Sequence, residues 1–221
     1  MQVRQAIAAR RSVRGFLDAP VDMSVLHELA AAAARAPSGG NLQPWHVHIV
    51  AGDAMARLKA DMAAKLARGE TETPAYPVYP PALDDPYRTR RSDIGEALYG
   101  HLGIPRADRD ARRRWFADNF RFFGAPAAFF CTVDRAMGPP QWSDLGMYLQ
   151  TLMLLAVDAG LATCPQECWA MYPETVGRLL ALPAERMLFC GVAIGFEDVA
   201  APANALRAGR ADTAEWLSVV A

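Results

Sequence analysis

Two stretches almost free of charge, Phe122 to Val133 and Met187 to Phe196, constrain the fold of this chain more than any other feature. Both fall well short of the roughly 20 apolar residues needed to span a bilayer, so they belong in a protein core. Their length and their Phe, Val and Ile content fit strands better than helices. Pro126 leads into the first, which reads as a buried strand over Ala127 to Val133. The second reads as a buried strand over about 187–195, and Gly191 and Gly195 within it permit close packing.

Helices surround these strands in the sequence. Over 143–159, Leu145, Leu149, Leu152, Ala156 and Ala159 share one face, and Gly160 stops the helix. A helix over 2–10 breaks at a run of arginines. Ser24 can cap a helix through Arg35 with Val25, Leu26 and Leu29 on its buried side, and Pro37 with Gly39-Gly40 ends it. Trp45, Val47 and Ile49 alternate with His46, His48 and Val50 as a half-buried strand. Asp53 opens a helix with Met55, Leu58, Met62 and Leu66 on one side. Helical patterns return at about 92–102 and 107–123, and another helix follows Pro173. Leu161 to Cys164 is a short segment running into Pro165. The tail from Glu197 to Ala221 has no strong period.

Between Gly69 and Arg91 regularity disappears: Pro74, Pro77, Pro80, Pro81 and Pro86 are interleaved with Tyr76, Tyr79 and Tyr87. A loop of this length in a compact domain is functional or disordered, and three tyrosines favour an ordered covering loop. Strands and helices are interspersed without the regular alternation of a doubly wound sheet. The expectation is one α+β domain over 1–221, and 52% apolar content in 221 residues can supply its core.

A net charge of −1 argues against a general nucleic-acid binder. The N-terminus carries Arg4, Arg10, Arg11 and Arg14 without an apolar signal region, so the expected location is cytoplasmic, with no membrane partner. Cys131 and Cys190 sit inside the apolar runs as small core residues. Cys164 and Cys168 have the spacing of a disulfide or half a metal site. His46 and His48 share a strand face without a nearby carboxylate, and no metal is assigned. Neither G-x-G-x-x-G nor G-x-x-x-x-G-K-[ST] occurs, so a nucleotide-like cofactor would need arginine clamps rather than a glycine-rich turn.

Such clamps are present. Arg10-Arg11-Ser12-Val13-Arg14 places three cations and a hydroxyl where the first helix ends. Three guanidiniums in five residues are best tolerated around an anion, and their planar forks fit a phosphate. The other reading is a solvated basic face. A polar turn follows one helix later, Ala36-Pro37-Ser38-Gly39-Gly40-Asn41-Leu42-Gln43-Pro44-Trp45. Further on stand Cys164-Pro165-Gln166-Glu167-Cys168-Trp169 and Asn204-Ala205-Leu206-Arg207-Ala208-Gly209-Arg210.

In order and separation these segments resemble the FMN-dependent nitroreductase family, whose first two motifs run roughly R-R-S-x-R and A-P-S-x-x-N-x-Q-P-W. The resemblance covers nearly the whole chain. It implies a nitroreductase-like fold, a central mixed or antiparallel sheet wrapped by helices, in an intertwined homodimer with FMN at the interface. By that likeness Arg10, Arg11 and Ser12 serve the phosphate and ribityl end, Arg207 and Arg210 close on the phosphate, and Arg14 stands near flavin N1/O2. Pro37, Ser38, Gly39, Asn41 and Gln43 reach the flavin bound mainly to the other subunit. Pro165, Gln166 and Glu167 form the turn beside N5. Cys168 departs from the pattern, occupying a position often held by glycine, which restricts the backbone there.

Asn119, Phe122, Phe123 and Tyr87 are the candidates for the substrate face, although aromatic rings at such positions serve a core equally well. The implied activity is transfer of hydride from NAD(P)H to an electron-poor acceptor, a nitroaromatic or quinone, in a ping-pong sequence with the flavin carrying the chemistry. Enone reduction, dehalogenation, flavin fragmentation and non-catalytic flavin binding are the alternatives. A Glu-x-x-x-Tyr…Lys lid pattern of the deiodinase-like members is not recognisable between 70 and 123, which weakens the dehalogenation branch.

Overall fold

The two apolar runs pair with each other at the centre of one sheet. In the computed structural model, which describes residues 1–220, strands β1 (His46–Ala51), β2 (Ala127–Asp134), β3 (Ala162–Gln166) and β4 (Arg186–Gly195) stand in the order β1-β2-β4-β3. All three pairings are antiparallel, with Phe129 opposite Ile49 on one side and Val192 on the other. The expectation of a mixed or antiparallel sheet thus resolves to antiparallel among these strands. A parallel bridge joins Ser12 to Thr163 outside them.

Because β2 and β4 are covered on both faces, their side chains alternate between two cores. Phe129, Cys131, Val133, Val192 and Ile194 meet helices α2 (Met23–Ala33) and α6 (Pro139–Asp158). Ala128, Phe130, Leu188 and Ala193 meet α3 (Gly52–Ala67) and α7 (Pro173–Leu180). Helix α1 (Val3–Ala9) packs on α6, while α4 (Tyr87–His101) and α5 (Arg109–Ala117) lie between α3 and β2 in sequence. Burying a large apolar side chain contributes about 1.5–3 kcal/mol, so Leu26, Leu58, Leu145 and Leu152, all at most 1% exposed, anchor their helices.

Several boundaries differ from the sequence reading for local reasons. Asp22, not Ser24, caps α2, its carboxylate accepting from the Ser24 N–H at 2.8 Å. Helix α6 begins four residues early because Pro139 and Pro140 occupy the first turn, where a missing N–H costs nothing. Trp45 precedes β1 rather than opening it, and Pro165 continues β3 instead of ending it, a place open to proline because β3 is an edge strand. Helix α4 starts at Tyr87, so the irregular segment closes at Pro86. The helix expected over 107–123 ends at Ala117 and tightens into a 3-10 turn, Asp118–Gly124.

The irregular segment is tied down at two points. Glu72, its side chain 3% exposed, accepts from the Glu174 N–H at 2.6 Å, from the Thr175 N–H at 3.2 Å and from the Thr175 hydroxyl, and pairs with Lys65. The Tyr76 hydroxyl donates to the Phe189 carbonyl, and its ring lies against Trp142 and Phe189. Gly191 is required by close approach: a Cβ there would stand 2.6 Å from Trp169 Cδ1. Among the described residues no helix is long and apolar enough to cross a membrane.

Candidate functional site

After α1 the backbone straightens, and Ser12–Val13 meets the free edge of β3 at Thr163. The Val13 N–H donates to the Thr163 carbonyl at 2.9 Å, and Ser12 bridges the same residue. Further along, Phe16 bridges Glu197, just past β4, and its N–H donates to the Phe123 carbonyl at 3.2 Å. Val13 is buried at 2% exposure, which turns its neighbours Ser12 and Arg14 the other way.

Asn204 brings the far end of the chain to this segment. Buried at 3% exposure, it accepts from the Arg14 N–H at 2.6 Å and donates to the carbonyls of Gly15 and Asp198, both at 2.8 Å. Arg207 and Arg210 follow it directly. The result is a cavity of about 820 Å³ lined by Arg10, Arg11, Ser12, Arg14, Arg207 and Arg210, with Ile94 of α4 and Gln150 of α6 on its walls. Its volume lies within the range of cofactor clefts, roughly 300–1,000 Å³.

The charges in this cavity are unbalanced. Arg11 is paired with Glu197. Among the described residues Arg10, Arg14, Arg207 and Arg210 have no carboxylate within salt-bridge distance. Arg207 and Arg210 each spend one terminal nitrogen on backbone carbonyls, at 2.7 Å to Asn204 and 2.8 Å to Gly209. Such a donor set is suited to a phosphate.

Strand β3 links the cavity to the second predicted segment. Thr163 holds the arginine segment, and three residues later Gln166 ends the strand. Gln166 is 2% exposed; its Nε2 donates to Asn119 O at 2.7 Å and Oδ1 at 3.3 Å, while its Oε1 is buried without a partner. Burial pushes the Glu167 carboxyl above its ordinary value. Burial also drives the Cys168 thiol far up, which disfavours a thiolate nucleophile. All four cysteines are free, so the 164/168 spacing forms no disulfide.

The comparisons with known proteins agree with this geometry. The model of the Nitroreductase family matches residues 7–196. The chain belongs to the nitroreductase family. It is 46% identical to an FMN and NADPH-dependent nitroreductase NfnB from sphigopyxis sp. strain HMH, whose crystal structure superposes with a TM-score of 0.96 over 100% of both chains. NfnB from Mycobacterium smegmatis, solved in complex with NADPH, is 32% identical with a TM-score of 0.93, covering 99% of this chain and 97% of that one. A nitrobenzene nitroreductase of Ectopseudomonas oleovorans is 36% identical over 97% of this chain and 95% of its own.

The remaining motif of this nitroreductase-family chain, Pro37 to Gln43, does not line the arginine cavity. It forms an exposed 3-10 turn, Gly39–Asn41, with left-handed backbone at Gly40 (φ 58°), Asn41 (φ 57°) and Gln43 (φ 49°). That conformation costs roughly 1–2 kcal/mol for each residue with a Cβ. The Ser38 hydroxyl offsets part of the cost by accepting the Gln43 N–H at 3.0 Å, and the Gln43 side chain donates to the Asn41 carbonyl.

The substrate-face candidates separate. Phe122 is fully buried and stacked on Trp169 at 4.8 Å, so it is a core residue and presents no face to a ligand. Tyr87 is 63% exposed at the start of α4 and lines no cavity described here. Asn119 is tied to Gln166 beside the β3 turn. Phe123, 8% exposed, touches a second cavity of about 440 Å³ that shares Arg14 with the first.

Lys59, Trp115, Asp118 and Arg121 also line that second cavity, and sequence reasoning missed all four. Lys59 donates to the Ala125 carbonyl at 2.8 Å, and burial lowers its pKa. The signal available was rarity alone: all but Lys59 and Lys65 of the 23 basic residues are arginine.

Proposed function

We propose that this protein is an FMN-dependent nitroreductase that takes reducing equivalents from NAD(P)H and delivers them to a nitroaromatic or quinone-like acceptor. The observation that carries this reading is the convergence of arginines from both ends of the chain, all but Arg11 without acid partners among the described residues, on one cavity beside the β3 edge. The two NfnB enzymes, one FMN and NADPH-dependent and one FMN-dependent and solved with NADPH, support the cofactor and the donor. Relatives named for nitrobenzene and 4-nitrobenzoate support the acceptor class.

The donor set fits FMN. Arg10, Arg207, Arg210 and the Ser12 hydroxyl would hold the phosphate, with Arg11 fixed by Glu197 on the same cavity wall. Arg14, shared by both cavities, would favour the electron-rich state of the ring through its charge. Pro165, Gln166 and Glu167 would supply the backbone beside N5, and the Asn119 contact steadies that turn. FMN held there would supply the hydride chemistry.

Pro37, Ser38, Gly39, Asn41 and Gln43 serve the flavin held mainly by a second copy, in an intertwined homodimer. Large apolar side chains left in solvent support an interface: Ile7 at 55%, Leu42 at 54%, Met147 at 38% and Trp216 at 67% exposure.

Steady-state rates with NADPH and 4-nitrobenzoate both varied test the activity. Parallel reciprocal lines are expected for donor and acceptor using one site in turn. Intersecting lines, or no NADPH oxidation, would contradict the reading.

A further inference from the structure

The Pro37–Gln43 turn is exposed and strained, yet its hydrogen bonds among the described residues are almost all internal. Asn41 N–H donates to the Ser38 carbonyl, Leu42 N–H to the Gly39 carbonyl, and Gln43 N–H to the Ser38 hydroxyl. One bond leaves the turn: the Gly39 N–H donates to both carboxylate oxygens of Asp144, each at 3.3 Å.

Asp144 lies in α6 at 4% exposure, and no Lys, Arg or His stands within salt-bridge distance of it among the described residues. A carboxylate is rarely kept in such a place without a partner. One helical turn further along, Tyr148 stacks on Trp45 at 5.2 Å and donates its hydroxyl to the Ala30 carbonyl at 2.9 Å. Two residues on one face of α6 therefore grip the two ends of the turn, Gly39 through the Asp144 carboxyl oxygens and Trp45 through a ring.

We propose that Asp144 is a positioning residue that holds the 38–43 turn in the left-handed shape that presents Ser38, Asn41 and Gln43 to the flavin. The proposal rests on the reading of that turn as part of the cofactor site. Asp144 does not itself touch cofactor or substrate. Its carboxylate selects the orientation of the Gly39 amide, and the backbone of residues 40–43 follows from that.

The test pairs two measurements on the full-length protein: amide hydrogen exchange of residues 36–45 without FMN, and FMN affinity by flavin fluorescence. Asp144→Ala is expected to speed exchange in 36–45 at least tenfold, leave β2 and β4 amides unchanged, and weaken FMN binding by about tenfold. Asp144→Asn keeps an acceptor oxygen and is expected to stay within about threefold of the parent in both readouts. Unchanged exchange in Asp144→Ala would overturn the proposal. Faster exchange with unaltered FMN affinity would instead overturn the cofactor role of the turn.

Should Asp144→Ala fail to fold, Gly39→Pro deletes the donor instead. Gly39 follows an extended Ser38 (φ −145°, ψ 148°), the backbone a residue before proline adopts, and a Cβ there meets nothing within 4 Å, while the ring Cδ takes the place of the N–H and pushes the Asp144 carboxylate away. The same loosening of Asn41 to Gln43 is expected, and wild-type exchange there would overturn the proposal.

Discussion

Asn204 makes one site of residues that stand 190 positions apart, since its side chain holds the Arg14 N–H while the chain it belongs to carries Arg207 and Arg210. Its Nδ2 is also committed, to the carbonyls of Gly15 and Asp198. Replacement by leucine leaves one N–H and two carbonyls in a buried place, each costing about 1–3 kcal/mol if water does not enter. Asn204→Leu is expected to lower unfolding free energy in urea by roughly 3 kcal/mol and to weaken FMN binding further than stability alone explains. A loss under about 0.5 kcal/mol, the size of an ordinary surface change, would show that the tail is not pinned through this side chain.

At the scale of elements, the start of α7 depends on a carboxylate from outside the helix. Burial pushes Glu72 upward, but the Thr175 hydroxyl, the Thr175 and Glu174 amides and Lys65 together hold it below the ordinary carboxylate value. A lowered pKa means that the ionised form is favoured in the folded state. The stabilisation is therefore present above the unfolded value, near 4.5, and lost as pH falls through the folded one. Glu72→Gln is expected to be less stable than the parent at pH 7 by about 1–3 kcal/mol. The gap should narrow on acidification below roughly pH 4.5, as followed by thermal unfolding. A gap constant from pH 7 to pH 3 would contradict the ionised anchor.

Most elements were legible because burial on two faces leaves apolar runs and burial on one leaves helical spacing. The strands over 127–133 and 187–195 and the helix led by Leu145, Leu149 and Leu152 are such cases. Pro165 misled because its effect depends on whether a strand lies at an edge, a property of the sheet and not of the sequence. Phe122 misled differently: it adopts left-handed backbone (φ 55°), tolerated because the core encloses it. The arginine clusters were legible because several cations near one another call for an anion. Asp144 and Lys59 carried no such signal, since a single charge on a helix has no meaning until its neighbours across the fold are known.

At the scale of the whole molecule, a chain of net charge −1 gathers five arginines from its N-terminal segment and its tail around one cavity, four of them without an acid partner among the described residues, while eight of its eighteen other cations are paired with acids. That asymmetry is a specific anion site rather than a general positive field, and the phosphate of FMN is the anion the account assigns to it. Titration of the purified protein with FMN and, separately, with riboflavin tests this most directly, because the two ligands share the ring and ribityl chain and differ in the phosphate. FMN retained near one per chain, with riboflavin weaker by at least about a hundredfold, is the predicted result, equivalent to about 2.7 kcal/mol of phosphate recognition. Equal affinity for the two, or a protein that retains neither, would contradict it.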